Sequence, residues 1–291
     1  MANRIGSGWQ LLSQSWAIVR RDKSLLLFPV MSSLACLVVV ASFVLPVVLS
    51  VDFGRLFDDN QQAGGQAWQN VGFYAVLFAF YFANFLVIVF FNTALVSCAL
   101  MRFSGGEPTV GDGLRTACDR LPQIVGWALL SATVGLVLKA VEDRLSFLGK
   151  IVVSFIGVAW SIAAYFVIPV LAVEKLGPFA AVRRSASLLR KSWGEAVVGG
   201  FSLSLVSIVL AIPGILLLVA GVVLASAARP GASLAWTVVA MALGVLYLIG
   251  LSIVISTLKQ IFLAGLYLYA AEGRVPDGFS EDTLISAFKA K

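Results

Sequence analysis

Clustered basic side chains are the residues whose type and spacing most clearly suggest binding chemistry in this sequence. Arg183, Arg184, Arg190 and Lys191 occur close together. On a helix they share one stripe opposite an apolar face, which is typical of a helix lying in a membrane interface. Such cations bind anionic lipid headgroups at about 1 kcal/mol each. Generic anchoring by positive charge would produce the same pattern, so both interpretations stay open.

Three carboxylates flank these basic segments. Glu174 is expected to pair with Arg183 or Arg184, either as a ligand or switch residue or as a salt bridge that fixes a helix angle. Asp112 and Asp119 could join Glu174 in a surface active site. The sequence contains no histidine, however, which excludes His-based acid–base catalysis and His-containing metal sites. We therefore predict no catalytic, metal or cofactor site, and no enzymatic activity.

Polar residues within apolar runs form a second group of candidates. Asn84 and Asn92 would either line a polar path or hydrogen-bond to a neighbouring helix, and we expect the latter. The three cysteines are scattered and predict no disulfide framework.

The amino-acid composition predicts which secondary-structure elements position these residues. Of 291 residues, 60% are hydrophobic and 12% charged, against about 45–50% and 25% in soluble domains. This excludes a soluble enzyme or nucleic-acid-binding domain and predicts an all-α, polytopic transmembrane helix bundle forming a single membrane domain over residues 1–291. Apolar runs of sufficient length predict six spans, over residues 25–50, 71–101, 124–141, 145–173, 196–225 and 234–271.

The distribution of charge predicts the orientation of the spans. Fifteen of the 21 Lys and Arg residues fall in the N-terminal segment, the second and fourth connections and the C-terminus. By the positive-inside rule, both termini are cytoplasmic.

Each cytoplasmic connection that precedes a span predicts an amphipathic helix, over about 5–21, 109–122 and 178–193. Thr109 and Asp112 have the spacing of a capping pair at the start of the second helix. Arg20 and Arg120 are further candidates for lipid or partner binding. SWAIVR (15–20), RTACDR (115–120) and SASLLR (185–190) each precede an apolar hairpin, which indicates a parallel, three-fold hairpin repeat or a chance similarity.

Three stretches also carry a resemblance to a known family: GWQLLSQSWAIVRRDKSLLLFPV, FFNTALVSCALMRFSGGEPTVGDGLRTA and YFVIPVLAVEKLGPFAAVRRSASLLRKSWGE. They resemble an uncharacterised bacterial family of six-span membrane proteins, domain of unknown function 6159. The resemblance implies the bacterial inner membrane as the setting. It implies no substrate and no catalytic residue.

Three functions remain open from the sequence. The favoured hypothesis is a non-enzymatic, membrane-organising protein whose basic helices bind anionic lipids or a cytoplasmic partner, alone or as a homo-oligomer. A channel or transporter for small or apolar solutes is the alternative, although the span centres lack the charged residues that coupled transporters use. A lipid-modifying enzyme is the second alternative. No nucleic-acid partner and no cofactor are expected.

Overall fold

A computed structural model describes residues 13–50, 71–191, 193–227 and 234–276 of the chain. These residues form helices and no strands, which confirms the all-α class. A short 3-10 helix, Lys23–Leu26, joins the first two helices. The helices, in chain order, are α1 (13–21), α2 (Leu27–Ser50), α3 (Val71–Phe103), α4 (Val110–Asp119), α5 (Leu121–Glu142), α6 (Phe147–Ala163), α7 (Val167–Glu174), α8 (Pro178–Lys191), α9 (Trp193–Ala227) and α10 (Leu234–Glu272).

Six helical segments of the described chain are long and apolar enough to cross a membrane, as the sequence predicts. They cover Lys23–Pro46, Ala75–Phe103, Leu121–Glu142, Leu148–Glu174, Ser204–Val223 and Trp236–Glu272. The last helix, α10, has 39 residues and is therefore about 58 Å long, well beyond a hydrocarbon core of about 30 Å. The predicted helix start at residues 5–12 and the first outer loop, 51–70, lie outside the described residues.

The fourth span is interrupted, which the apolar run over 145–173 does not reveal. Helix α6 ends at Ala163, and α7 begins at Val167 after a turn. The turn frees backbone groups that must find other partners in an apolar setting. Phe166 N–H finds one outside the span, because it donates to the buried Ser185 hydroxyl of α8 at 2.9 Å.

By its internal contacts the chain divides into two compact units. One comprises residues 30–98 and 108–189. Its fully buried side chains come from α3, α4, α5, α7 and α8, and include Leu95, Ala117, Ile124, Leu171 and Leu188. Trp127 of α5 stacks on Trp160 of α6 with ring centroids 5.7 Å apart. This unit holds most of the predicted site residues.

The other unit comprises residues 1–29, 99–107 and 190–291. Its buried core includes Leu25, Phe28, Ile261 and Leu266. The helices α9 and α10 pack closely, since a Cβ placed on Gly244 would lie only 3.1 Å from the Gly214 carbonyl oxygen. Small residues of this kind let two membrane helices approach each other.

Candidate functional site

Most of the predicted site residues lie in the fourth connection, which runs from Glu174 at the end of α7 through α8. Helix α7 ends at Glu174, and Lys175 adopts a left-handed conformation with φ 54° and ψ 27°. Pro178 then opens α8, where its missing N–H costs nothing because the first-turn amides have no helical partner. A Cβ placed on Gly126 of α5 would lie 3.4 Å from the Pro178 ring, so α8 begins against α5.

Glu174 forms the ion pair that the sequence predicts, and its partner is Arg184. The Arg184 Nε lies 2.8 Å from one carboxylate oxygen of Glu174 and 2.9 Å from the other. The two side chains are partly buried, with 35% of Arg184 and 21% of Glu174 exposed. The pair joins the end of α7 to the middle of α8. Whether Glu174 fixes the angle between these helices or acts as a ligand or switch residue stays a prediction.

Arg120 also contacts α7. Its Nε donates to the Ala172 carbonyl oxygen at 3.2 Å. The last carbonyls of a helix lack helical partners and attract cations. Together with the Ser185–Phe166 hydrogen bond, Arg120 and Arg184 therefore hold α7 from two directions. In these contacts both arginines serve the fold.

The remaining basic candidates whose side chains the structure describes are all exposed. Arg183 and Arg190 are exposed on α8. Arg20 is exposed on α1, with its guanidinium carbon 5.9 Å from the centre of the Trp16 ring. The Lys191 side chain lies outside the described side chains. Among the described side chains of the predicted stripe, Arg184 is thus paired with Glu174, whereas Arg183 and Arg190 are exposed.

The apolar side of α8 is buried in protein. Ala181, Leu188 and Leu189 are at most 5% exposed, whereas Phe179 is 69% exposed. Phe179 and Arg183 are four residues apart, and Arg190 follows seven residues later, so the three side chains share one helix face. We name Phe179, Arg183 and Arg190 the α8 outer face. Whether this face lies in a membrane interface stays a prediction.

The predicted capping pair at α4 is confirmed. The Thr109 hydroxyl accepts from the Asp112 N–H at 3.3 Å, and an Asp112 carboxylate oxygen accepts from the Thr109 N–H at 2.8 Å. Hydrogen bonds from the Thr109 side chain and backbone lower the pKa of Asp112 below its ordinary value. Asp112 is therefore engaged in holding the helix start, while Asp119 is exposed at the helix end.

The two asparagines lie in α3. The Asn84 side-chain amide donates to the Phe80 carbonyl of its own helix at 2.9 Å. Asn92 is half-buried. A contact between either residue and a neighbouring helix stays a prediction.

One recurring feature was missed by the sequence reasoning. Each of the spans that ends at a predicted cytoplasmic connection is followed by a left-handed residue, Gly105, Lys175 or Gly273, with φ of 83°, 54° and 68°. A proline lies three residues further on each time, at positions 108, 178 and 276. This spacing is readable from the sequence, and the three-fold hairpin repeat itself stays a prediction.

The hexapeptides agree in only two of the three copies. In SWAIVR and SASLLR the first, fourth and fifth positions are buried and the final arginine is exposed. In RTACDR the third position alone is buried. The structure thus relates α1 to α8 and sets α4 apart.

The described residues offer no group of three or more Cys, Asp or Glu side chains that could hold a metal ion. No covalent chemistry is assigned to this connection. Its contacts join α7 to α8, and its side chains Arg183 and Arg190 are exposed.

Comparison with known proteins gives one match. A family of unknown function (DUF6159) matches the chain over residues 71–278, from the start of α3 to just beyond Pro276. The N-terminal stretch that resembles the same family lies outside the matched residues. No curated protein and no solved structure matches the chain.

Proposed function

The chain belongs to the family of unknown function DUF6159, and we propose that it is a non-enzymatic protein of the bacterial inner membrane that binds anionic phospholipids. In this proposal both termini are cytoplasmic. The α8 outer face meets the headgroups of the inner leaflet. The protein would organise lipids, or a partner held through them, at that surface.

The observation that carries the proposal is the composition of the α8 outer face. Phe179 is 69% exposed one helical turn from the exposed Arg183, and the exposed Arg190 lies further along the same helix face. An exposed aromatic ring on the same helix face as two arginines matches helices that insert apolar groups below the headgroups while their cations contact phosphates. Because Glu174 neutralises Arg184 and Arg120 is held by Ala172, the surface cations are the ones left to a ligand.

A non-enzymatic role is supported by the engagement of the acidic residues. Asp112 caps α4, and Glu174 accepts two contacts from Arg184. Two of the three carboxylates required by the enzyme hypothesis thus act in the fold.

The experiment is lipid enrichment around the full-length chain. The protein would be reconstituted in equimolar phosphatidylglycerol and phosphatidylcholine, extracted with mild detergent, and its retained lipids measured by mass spectrometry. We expect the natural chain to retain phosphatidylglycerol preferentially. The combined substitution R183Q and R190Q should reduce that preference by about fivefold per charge.

The matched control changes two exposed cations on the opposite predicted side, R144Q with K150Q. This variant should keep the preference. Equal retention of phosphatidylglycerol by the R183Q/R190Q variant and the natural chain would overturn the proposal.

One observation favours transport as a second candidate. A cavity of about 340 Å³ lies between α9 and α10, and polar lining residues include Ser207, Ser252, Ser256 and Lys259. Polar and ionisable groups at membrane depth commonly mark a solute path. If this candidate is right, liposomes containing the protein will show solute flux that K259M abolishes. Absence of flux across a broad panel of small solutes would remove the candidate.

A further inference from the structure

A cavity lies beside the turn that ends α3, and none of its lining residues belongs to the α8 outer face. It encloses about 380 Å³ between α1 and the turn, a volume within the range of small-ligand pockets. Its lining brings together two cations and one carboxylate, and includes Arg21, Arg102, Phe103, Gly105, Gly106 and Glu107. All of these residues belong to one compact unit of the chain.

Arg102 is held in place at this cavity. Its Nη1 donates to the Gly106 carbonyl oxygen at 3.2 Å and lies 3.8 Å from a Glu107 carboxylate oxygen. Its side chain is 26% exposed. A guanidinium restrained in this way loses little freedom on binding an anion and presents its remaining N–H groups in a fixed plane.

Arg21 supplies the second cation. It is exposed, and among the described residues no carboxylate lies within 4.0 Å of it. Two guanidinium groups that face one cavity form an arrangement suited to a phosphate, which accepts several charge-assisted hydrogen bonds at once.

Glu107 supplies the negative charge in the lining of the cavity. Its side chain is 92% exposed, and the 3.8 Å separation from Arg102 is too long for a hydrogen bond. The carboxylate therefore keeps acceptor capacity for a donor from a ligand. A purely anionic ligand would be repelled by Glu107, whereas a ligand with phosphate and ammonium groups would satisfy both ends.

The turn keeps the cavity open. Gly105 N–H bonds to the Arg102 carbonyl and Gly106 N–H to the Met101 carbonyl, which closes the helix end in a Schellman motif. Gly105 has φ +83°, a conformation that side-chain-bearing residues rarely adopt. A Cβ at Gly105 would meet no atom within 4 Å, so the absence of side chains leaves space for a ligand.

The neighbouring face of α1 indicates the depth of the cavity in a membrane. Trp16 is 37% exposed and lies under the Arg20 guanidinium. Tryptophan paired with arginine is typical of the headgroup layer. Ala17 and Arg21, which line the cavity, follow these two residues directly on the helix.

We propose that this cavity binds a phosphoethanolamine group, with the phosphate between Arg21 and Arg102 and the ammonium at Glu107. The ligand is a phosphatidylethanolamine headgroup or a soluble phosphoethanolamine, which share this chemistry. The inference rests on the proposed function in so far as both assume that these segments face the cytoplasmic lipid headgroups. It uses different residues and a different lipid class.

The test is a titration of the full-length chain in detergent micelles, followed by native mass spectrometry. The probes are dioctanoyl-phosphatidylethanolamine, dioctanoyl-phosphatidylcholine, dioctanoyl-phosphatidylglycerol and soluble phosphoethanolamine. We expect phosphatidylethanolamine to bind more tightly than phosphatidylcholine, whose quaternary ammonium cannot donate a hydrogen bond. R21Q and R102Q should each weaken phosphatidylethanolamine binding by about tenfold.

The decisive variant is E107Q. It should lower phosphatidylethanolamine binding by up to about fivefold, the upper end for an exposed ion pair, while leaving phosphatidylglycerol binding unchanged or stronger. A structural role for Glu107 would change the binding of all lipids alike. R115Q, an exposed arginine of α4 outside the cavity, is the matched control and should bind as the natural chain does.

The outcomes separate the two ligand sources and the two proposals. Competition by soluble phosphoethanolamine at the concentration of the lipid would identify the free compound as the ligand and support the site. Failure of such competition, with lipid binding retained, would identify the headgroup. Equal binding of phosphatidylethanolamine by R21Q, R102Q, E107Q and the natural chain would overturn the site, whatever the R183Q/R190Q variant does with phosphatidylglycerol.

Discussion

The Ser185 hydroxyl accepts the backbone N–H of Phe166 at 2.9 Å, in a buried contact between residues 19 positions apart. Through this hydrogen bond, α8 supplies the acceptor for a backbone N–H that the break between α6 and α7 leaves without a helical partner. The partly buried pair Glu174–Arg184 and the Arg120–Ala172 contact act on the same short helix, α7. Two of these contacts tie α7 to α8, and the third ties it to Arg120.

Ser185→Ala should destabilise the protein by about 1–3 kcal/mol, because the buried Phe166 N–H loses its acceptor. The measurement is the midpoint of unfolding by denaturant in detergent micelles. Ser187→Ala, at an exposed site on the same helix, should have little effect. Equal stability of the two variants would show that water or another group replaces the lost acceptor.

Glu174 and Arg184 should show an interaction energy of about 1 kcal/mol in a double-mutant cycle built from E174Q and R184Q. The physical reason is that the pair is partly buried and makes two close contacts on one Nε. The Lys139–Asp143 pair, at 3.0 Å but more than half exposed on both sides, supplies the control cycle. The interaction energy of the Lys139–Asp143 pair should be smaller. A larger interaction energy for Lys139–Asp143 than for Glu174–Arg184 would contradict a role for Glu174 in fixing α8.

The stability of α4 should depend on the ionisation of Asp112. Since hydrogen bonds from Thr109 lower its pKa in the folded protein from 3.8, the carboxylate stabilises the helix start at pH values above 3.8. That contribution falls away as pH drops through the lowered pKa. Amide protection factors in α4, corrected for intrinsic exchange, should therefore fall in this acidic range. D112N should show lower protection at neutral pH and lose the acidic step, and an unchanged step in D112N would assign it to another group.

The preference for anionic lipid should weaken with salt if it arises at the α8 outer face. Raising ionic strength from 0.1 M to 1 M shortens the Debye length from about 10 Å to 3 Å. Phosphatidylglycerol retention by the natural chain should fall accordingly, and the R183Q/R190Q variant should respond less. A salt-independent preference would point to a buried binding site instead of the exposed arginines.

Local signals in the sequence were sufficient for several elements of this structure. Thr109 and Asp112 are three residues apart, and that spacing alone specifies their reciprocal cap. The six spans follow from apolar length, because a bilayer imposes one distance on every crossing helix.

Contacts between segments that are distant in the chain were harder to predict from the sequence. The break at Phe166 lies within a continuous apolar run, and its acceptor is 19 residues away. Glu174 could be paired with Arg183 or Arg184 by sequence, since both follow it closely, and helix packing decides between them. Arg120 lies 52 residues from Ala172, and no local pattern indicates that its guanidinium would bind a helix end instead of a lipid.

The cysteines provide a test of the predicted orientation. Cys118 is exposed on α4, whereas Cys98 is buried with its thiol directed at the Thr109 carbonyl at 3.4 Å, and Cys36 is half-buried within the first span. If the connection containing α4 is cytoplasmic, a membrane-impermeant maleimide should label the protein in inside-out vesicles and leave it unlabelled in intact spheroplasts. C118S should remove this labelling, while C36S with C98S should retain it. Labelling of Cys118 in intact spheroplasts would reverse the orientation, and with it the leaflet that the α8 outer face can reach.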